Sequence, residues 1–250
     1  MRFMVMHKVD ANMEAGGPPN QQIVQGMGAL VQESLKNKVF LNGAGLHRSA
    51  KRARLETQGG EDRVSKGPYQ GRNELLSSFA MIKANSLEEA IERARQLAHA
   101  LGGVEVEVGP VVEPWDIGVM PKPEKLPMGR FLLLCKGNRD TESGAEPSPE
   151  RLAALEKLLQ SLREEGVLVL ADRLAPSSKG ARLVTDSSSR LASGERGKRT
   201  WTDGPFAESK ELIAGFSIID VPTLADARAW TERYAAILGD TEVDVRPLAD

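Results

Sequence analysis

The chain carries one pattern twice, and a repeat of this length points to two copies of a single folding unit. "RFMVMHK" at 2–8 matches "RFLLLCK" at 130–136, and "SAKRARL" at 49–55 matches "SSKGARL" at 177–183, each pair 128 residues apart. Farther along, "GPYQGRNELLSSF" at 67–79 matches "GPFAESKELIAGF" at 204–216, and "LGGVEVEVGPV" at 101–111 matches "LGDTEVDVRPL" at 238–248, now 137 apart. The second copy therefore holds nine extra residues between Leu183 and Asp203. Between the copies, "EPWDIGVMPKPEKLPMG" at 113–129 contains four prolines, which forbid regular structure and favour an extended spacer. The expected organisation is repeat one at 1–113, a proline-rich linker at 114–128 with its boundary near 121, and repeat two at 129–250.

Periodicity gives each copy its elements. Phe3, Val5 and His7 alternate with Met4 and Met6, as Phe131, Leu133 and Cys135 do with Leu132 and Leu134, so the first strand of each copy is apolar on both faces and expected to be buried on both. Val24, Met27, Leu30 and Val31 form a helical stripe, and so do Leu152, Leu155, Leu158 and Leu159 behind the Ser148-Pro149 start signal. "VFLNGAGL" and "VLVLADRL" read as second strands, "LSSFAMIKA" and "IAGFSIIDV" as third strands. Ser86 with Glu89, and Thr223 with Asp226, read as capping boxes of helices that stop near Gly102 and Gly239, and "VEVEV" and "EVDV" close the copies as strands. The order is βαββαβ, the ferredoxin-like pattern of an α+β protein. Helices cover one face of such a sheet, so the other needs a cover, and the sister copy supplies it. The expected architecture is two sheets face to face, a fused dimeric α+β barrel, with the space between them as the place for a ligand.

Bulk properties exclude several classes. A net charge of -2 gives no long-range field for nucleic acid or an anionic membrane, so neither is expected as a partner. No apolar run approaches the roughly 20 residues of a spanning helix, and the N-terminal segment has no apolar core of a signal peptide. A single cysteine, Cys135, rules out an intrachain disulfide and multi-cysteine metal motifs, which fits a cytoplasmic protein. His7, His47 and His99 have no metal-site spacing, so neither a metal nor a cofactor is expected.

The stretch "DGPFAESKELIAGF", with "RFLLLCK", "GVLVLADRL" and "SSKGARL" before it and "EVDVRPL" after, resembles the YCII-related family, specifically its DGPF subgroup. Repeat one resembles the same family through "MRFMVM", "GPYQGRNEL" and "VVEPWDIG", but has Lys66, Tyr69, Gly71 and Asn73 where repeat two has Asp203, Phe206, Glu208 and Lys210. The resemblance implies a dimeric α+β barrel of ferredoxin-like units, here fused in tandem. Some members look like small lyases or dehalogenating enzymes with a His-Asp pair whose histidine lies on the first helix. Met27 and Leu155 stand at that position here, so that chemistry is not carried over.

Two readings of the "DGPF" loop stay open. Asp-Gly-Pro is a turn signal. Equally, Asp203 or Glu208 as base, with Lys210 as electrostatic partner, would form a catalytic group if burial shifted their pKa values. Arg182 and Arg54 of the shared "ARL", together with Phe206 and Glu211, are the matching ligand-binding candidates. The simpler role of the arginines is an ion pair, closed by Glu74 and Glu211, which keep their position in both copies. The basic "SAKRAR" and "SGERGKRTW" read as solvated hairpin turns, and Cys135 as a buried, inert thiol. The function classes that remain are a small-molecule binder with simple acid-base chemistry and a non-enzymatic regulatory or interaction scaffold. Either is compatible with pairing of the repeats within the chain and with further homo-oligomerisation.

Overall fold

Short polar side chains set the helix starts of this chain. In the computed structural model, which describes residues 1–18, 20–58, 61–125, 128–186, 198–209, 212–239 and 241–249, the first repeat runs β1 (Arg2–Lys8), α1 (Ala11–Glu14), α2 (Gln21–Lys36), β2 (Phe40–Gly45), β3 (Ala53–Gln58), β4 (Glu61–Lys66), β5 (Leu76–Ala84), α3 (Leu87–Ala100) and β6 (Val106–Pro110). The second runs β7 (Gly129–Lys136), α4 (Arg139–Ser143), α5 (Pro149–Glu164), β8 (Leu168–Arg173), β9 (Ala181–Asp186), β10 (Lys198–Asp203), β11 (Ile213–Asp220), α6 (Leu224–Leu238) and β12 (Glu242–Pro247). Asn20 caps α2 by accepting from Gln22 N at 2.9 Å, and Ser148 caps α5 ahead of Pro149. The Thr223–Asp226 box at α6 is reciprocal. At α3 only half of the expected box forms: Ser86 Oγ accepts from Glu89 N, but Glu89 reaches back to Asn85 N at 2.8 Å.

Each repeat contains the expected βαββαβ series with one hairpin inserted, β3–β4 in the first and β9–β10 in the second. The hairpin corrects the reading of "SAKRAR" as a solvated turn. Ala53 and Leu55 alternate into the helix-side core while Arg52 and Arg54 point to the other face, and all four are buried. Residues 187–197, in the stretch of repeat two that carries its nine extra residues, lie outside the described residues.

The strands form two six-stranded antiparallel sheets, ordered β10-β9-β12-β1-β11-β2 and β4-β3-β6-β7-β5-β8. Without the hairpins, both have the ferredoxin-like order of last, first, third, second strand. The membership is exchanged, however. One sheet takes its first and second strands from repeat one and its third and fourth from repeat two, and the other sheet does the reverse. The compact units follow suit: one comprises 1–45, 175–207 and 211–250, the other 46–174 and 208–210. Sequence alone led us to expect each repeat to close its own sheet. A strand's periodicity fixes which faces are apolar but does not say which of two equivalent copies it pairs with, the situation that permits exchange of identical elements.

In the unit containing β1, Phe3, Val5, Leu183, Val243 and Val245 pack under α2 and α6 through Leu30, Trp230 and Tyr234. In the unit containing β7, Leu55, Ile82, Val108, Leu133 and Cys135 pack under α3 through Ile91, Ala94 and Leu97. The helix-free faces are buried as well: Met4 and Phe216 in the first unit, Met81, Leu132 and Leu134 in the second. Among the described residues no helix is long and apolar enough to cross a membrane.

Candidate functional site

The Gly-Pro-aromatic segment is the same turn in both repeats. The Gly67–Pro68 and Gly204–Pro205 peptides are both cis. Gly204 N donates to Gly180 O at 3.2 Å and Phe206 N to Ser177 Oγ at 3.1 Å; Gly67 N donates to Arg52 O at 3.0 Å and Tyr69 N to Ser49 Oγ at 3.2 Å. An added Cβ would lie 1.8 Å from Ser177 O at Gly204 and 1.8 Å from Ser49 O at Gly67. Only glycine fits against these carbonyls. Gly204→Ala and Gly67→Ala should each destabilise by about 1–3 kcal/mol. Gly28→Ala, on the exposed face of α2 with nothing within 4 Å of the new Cβ, should stabilise by about 0.5–1 kcal/mol. Urea denaturation of the three variants checks this, and equal midpoints would contradict it.

Asp203 ends β10 opposite Ala181, on the helix side of its sheet, where its carboxylate is 76% exposed and ion-paired with Arg228 of α6. Glu208 is also exposed. Lys210 and Glu211 lie outside the described residues. Arg182, one register step from Ala181, points to the opposite, helix-free face. Its guanidinium stacks 4.4 Å from the ring centroid of buried Phe206 and grips Asp244 with both Nε (2.6 Å) and Nη2 (3.0 Å). Lys8 Nζ lies 3.0 Å from Asp244 Oδ2. Burial opposes the charge on Asp244, but Lys8 and Arg182 hold its carboxyl below the usual carboxylate range. Arg182 and Phe206 are thus brought together, and Asp203 sits on the other side of the sheet.

The equivalent place in the unit containing β7 is richer. Arg54 stacks 4.1 Å from the centroid of Tyr69 and donates through Nη2 to Glu74 Oε1 at 2.7 Å, the pairing that the retained glutamate suggested. Lys136 pairs with Glu74 Oε2 and lies 3.8 Å from Glu107 Oε2. Arg52 Nη1 donates to Glu107 Oε1 at 2.8 Å, and the backbone N of Arg72 donates to Glu74 Oε1 at 2.9 Å. Arg52, Arg54, Glu74, Glu107 and Lys136 are all buried. Burial again works against the acid, yet Lys136, Arg52 and Arg54 keep the Glu107 carboxyl below the ordinary range. At the edge stands Glu105, partly exposed, 3.8 Å from Arg54 Nε and 3.4 Å from Arg72 Nη2. Here burial prevails over Lys136, Arg72 and Arg54, and the carboxyl is pushed up.

One guanidinium has changed strands between the units. Arg52 lies beside Gly109 one step past the end of the β3–β6 pairing, whereas Gly180 lies beside Arg246 one step past the end of β9–β12. Both arginines are buried, and their Nε groups donate to equivalent carbonyls, His47 O at 2.5 Å and Ala175 O at 3.1 Å. Each glycine clears the partner side chain: an added Cβ would be 3.5 Å from Arg52 Cδ at Gly109 and 3.3 Å from Arg246 Cγ at Gly180.

Sequence reasoning selected the two stacked arginines and missed what holds them. Lys8 and Lys136 end apolar strands at matching positions, and Asp244 and Glu107 recur in the last strands; a charge kept in both copies on an otherwise apolar strand was the available signal. Cys135 is buried, and burial pushes its thiol up to about 12, so it is a poor nucleophile at neutral pH. His7, its counterpart, shares a 2.6 Å hydrogen bond with Tyr234 Oη.

In comparison with known proteins, the model of the YCII-related domain matches residues 1–113 and again 129–248. Neither curated proteins nor solved structures yielded a match.

Proposed function

The chain belongs to the YCII-related domain family through both of its repeats, and from that premise we propose that it binds a small acidic molecule in the unit formed by 46–174 and 208–210. The observation that carries this reading is the cluster around Arg54. Three buried cations, Arg52, Arg54 and Lys136, face two buried carboxylates, Glu74 and Glu107, while the third carboxylate, Glu105, stands at the solvent edge in a place that disfavours its charge. Buried ion pairs are weak stabilisers, since apolar residues of similar volume commonly do as well or better. Ionisable groups with shifted pKa values gather where ligands and protons are handled. A ligand carboxylate would meet Arg72 and Arg54 where Glu105 now stands, and Glu105, holding its proton more tightly than a free glutamate, is the group placed to exchange one with it.

The other unit supports the choice by contrast. Arg182 engages Asp244 through two of its nitrogens, and Phe206 replaces Tyr69, so the counterpart is closed as an ion pair. Acid-base chemistry by Asp203, Glu208 and Lys210 is a separate proposal that rests on their place in the motif.

A thermal-shift screen of small carboxylic acids, hydroxy-aromatics and phosphates tests both. A ligand at about 100 times its dissociation constant adds about 2.7 kcal/mol, a shift of several degrees. Arg72 is exposed, so Arg72→Ala should keep the fold and lose most of the shift. Loss of the shift in Asp203→Ala instead would move the site to the "DGPF" loop. A screen with no shift would favour the scaffold reading.

A further inference from the structure

In the Arg54 cluster, Arg54 Nε, Tyr69 Oη and Glu107 Oε2 have no hydrogen-bond partner among the described residues. Arg54 is 4% and Glu107 0% exposed. Arg54 Nε and Glu107 Oε2 face each other at 3.6 Å, too far for a hydrogen bond and close enough for one oxygen to touch both. Tyr69 lies against the same guanidinium, and burial followed by the Glu107 charge pushes its phenol well up, so Tyr69 stays protonated and has a hydroxyl hydrogen to donate. Leaving such buried groups unsatisfied is costly. The hydroxyl of Tyr69 is not needed for packing, since Phe206 fills the equivalent position against Arg182.

Two donors and one acceptor in one buried cluster are the complement of an alcohol oxygen, which accepts twice and donates once. Resting on the reading that this unit binds a small acid, we propose that its ligand is a short hydroxycarboxylic acid. The hydroxyl oxygen accepts from Arg54 Nε–H and Tyr69 Oη–H and donates to Glu107 Oε2. The carboxylate lies outward on Arg72, whose side chain is 53% exposed and now holds Glu56 and Glu105. The closed unit makes no such provision: there Arg182 Nε already donates to Asp244 at 2.6 Å, and the aromatic residue has no hydroxyl.

The test is isothermal titration of the full chain with matched pairs of acids: glycolate against acetate, lactate against propionate, mandelate against phenylacetate. At least one hydroxy acid should bind about tenfold or more tightly than its partner, because a site built around a hydroxyl penalises its absence. Tyr69→Phe should shrink that ratio to about threefold or less, leave the deoxy acid's affinity unchanged and keep the fold, given Phe206. Equal affinity within every pair would overturn the hydroxyl assignment while leaving acid binding intact. Binding of no acid in either series would overturn the assignment together with the site it rests on. A crystal of the lactate soak with only a water between Arg54 and Glu107 would also overturn it.

Discussion

Replacing Arg52 with glycine should destabilise the protein by about 3–5 kcal/mol, the effect of removing one partner from a buried ion pair, and adding Gly109→Arg should restore most of the loss. Arg52 is fully buried, donates to Glu107 at 2.8 Å and ties down the carbonyl of His47. Without it Glu107 keeps Arg54 at 3.6 Å and Lys136 at 3.8 Å as compensation. The molecule itself shows the repair, because the other unit places its guanidinium on the last strand, at Arg246, and leaves glycine at 180. A Cβ at Gly109 would find only ordinary contacts, the nearest being Leu46 Cδ2 at 3.4 Å and the Arg52 Cδ that the first substitution removes. The reverse exchange should fail, since a Cβ at Gly180 would sit 2.6 Å from Val245 O. Urea denaturation of the single and double variants decides: a double variant no more stable than Arg52→Gly alone refutes the equivalence. The pH dependence carries the same sign. Glu107 has a depressed folded pKa, so its contribution is present above the ordinary glutamate value, about 4.3, and is lost as pH falls through the folded value. Arg52→Gly lessens the depression, so the acid transition of the variant should move to higher pH.

Cutting the linker between 114 and 128 should leave a chain that still behaves as one molecule. Among the described residues, six of the ten strand pairs join a strand of the first repeat to one of the second: β1–β11, β1–β12, β2–β11, β5–β7, β5–β8 and β6–β7. The four that stay within a repeat involve the inserted hairpins. A protease site placed in the linker should therefore give two fragments that co-elute in native size exclusion and part only in denaturant. Expressed alone, 1–113 has β1 without either of its neighbours and should be unfolded or self-associated. Two monomeric, cooperatively folding fragments would show that each repeat closes its own sheet, contrary to the exchange.

The sequence made much of this legible and left the decisive part out. The repeat, the linker, the two-sided burial of β1 and β7 and the capping of α5 and α6 follow from spacing and residue type. Pairing does not: β5 and β11 offer the same apolar rhythm, so nothing local tells β1 which to choose. At the site, Arg54 and Arg182 were visible because "ARL" recurs, and Glu74 because it survives beside changed neighbours. Glu107 and Asp244 were not, because an acid alternating with valines reads as the wet face of a strand, and here that face is buried. The "DGPF" motif drew notice to repeat two, whereas the open cluster is in the unit whose aromatic residue, Tyr69, and whose arginines, Arg52 and Arg54, come from the divergent repeat.

The exchange also relocates the natural places for recombination. Because 46–174 is a continuous run that supplies nearly all of one unit, crossovers between relatives at 45/46 and 174/175 would transplant a whole core. A crossover in the proline-rich linker, where an engineer would cut by eye, would instead give both cores mixed parentage.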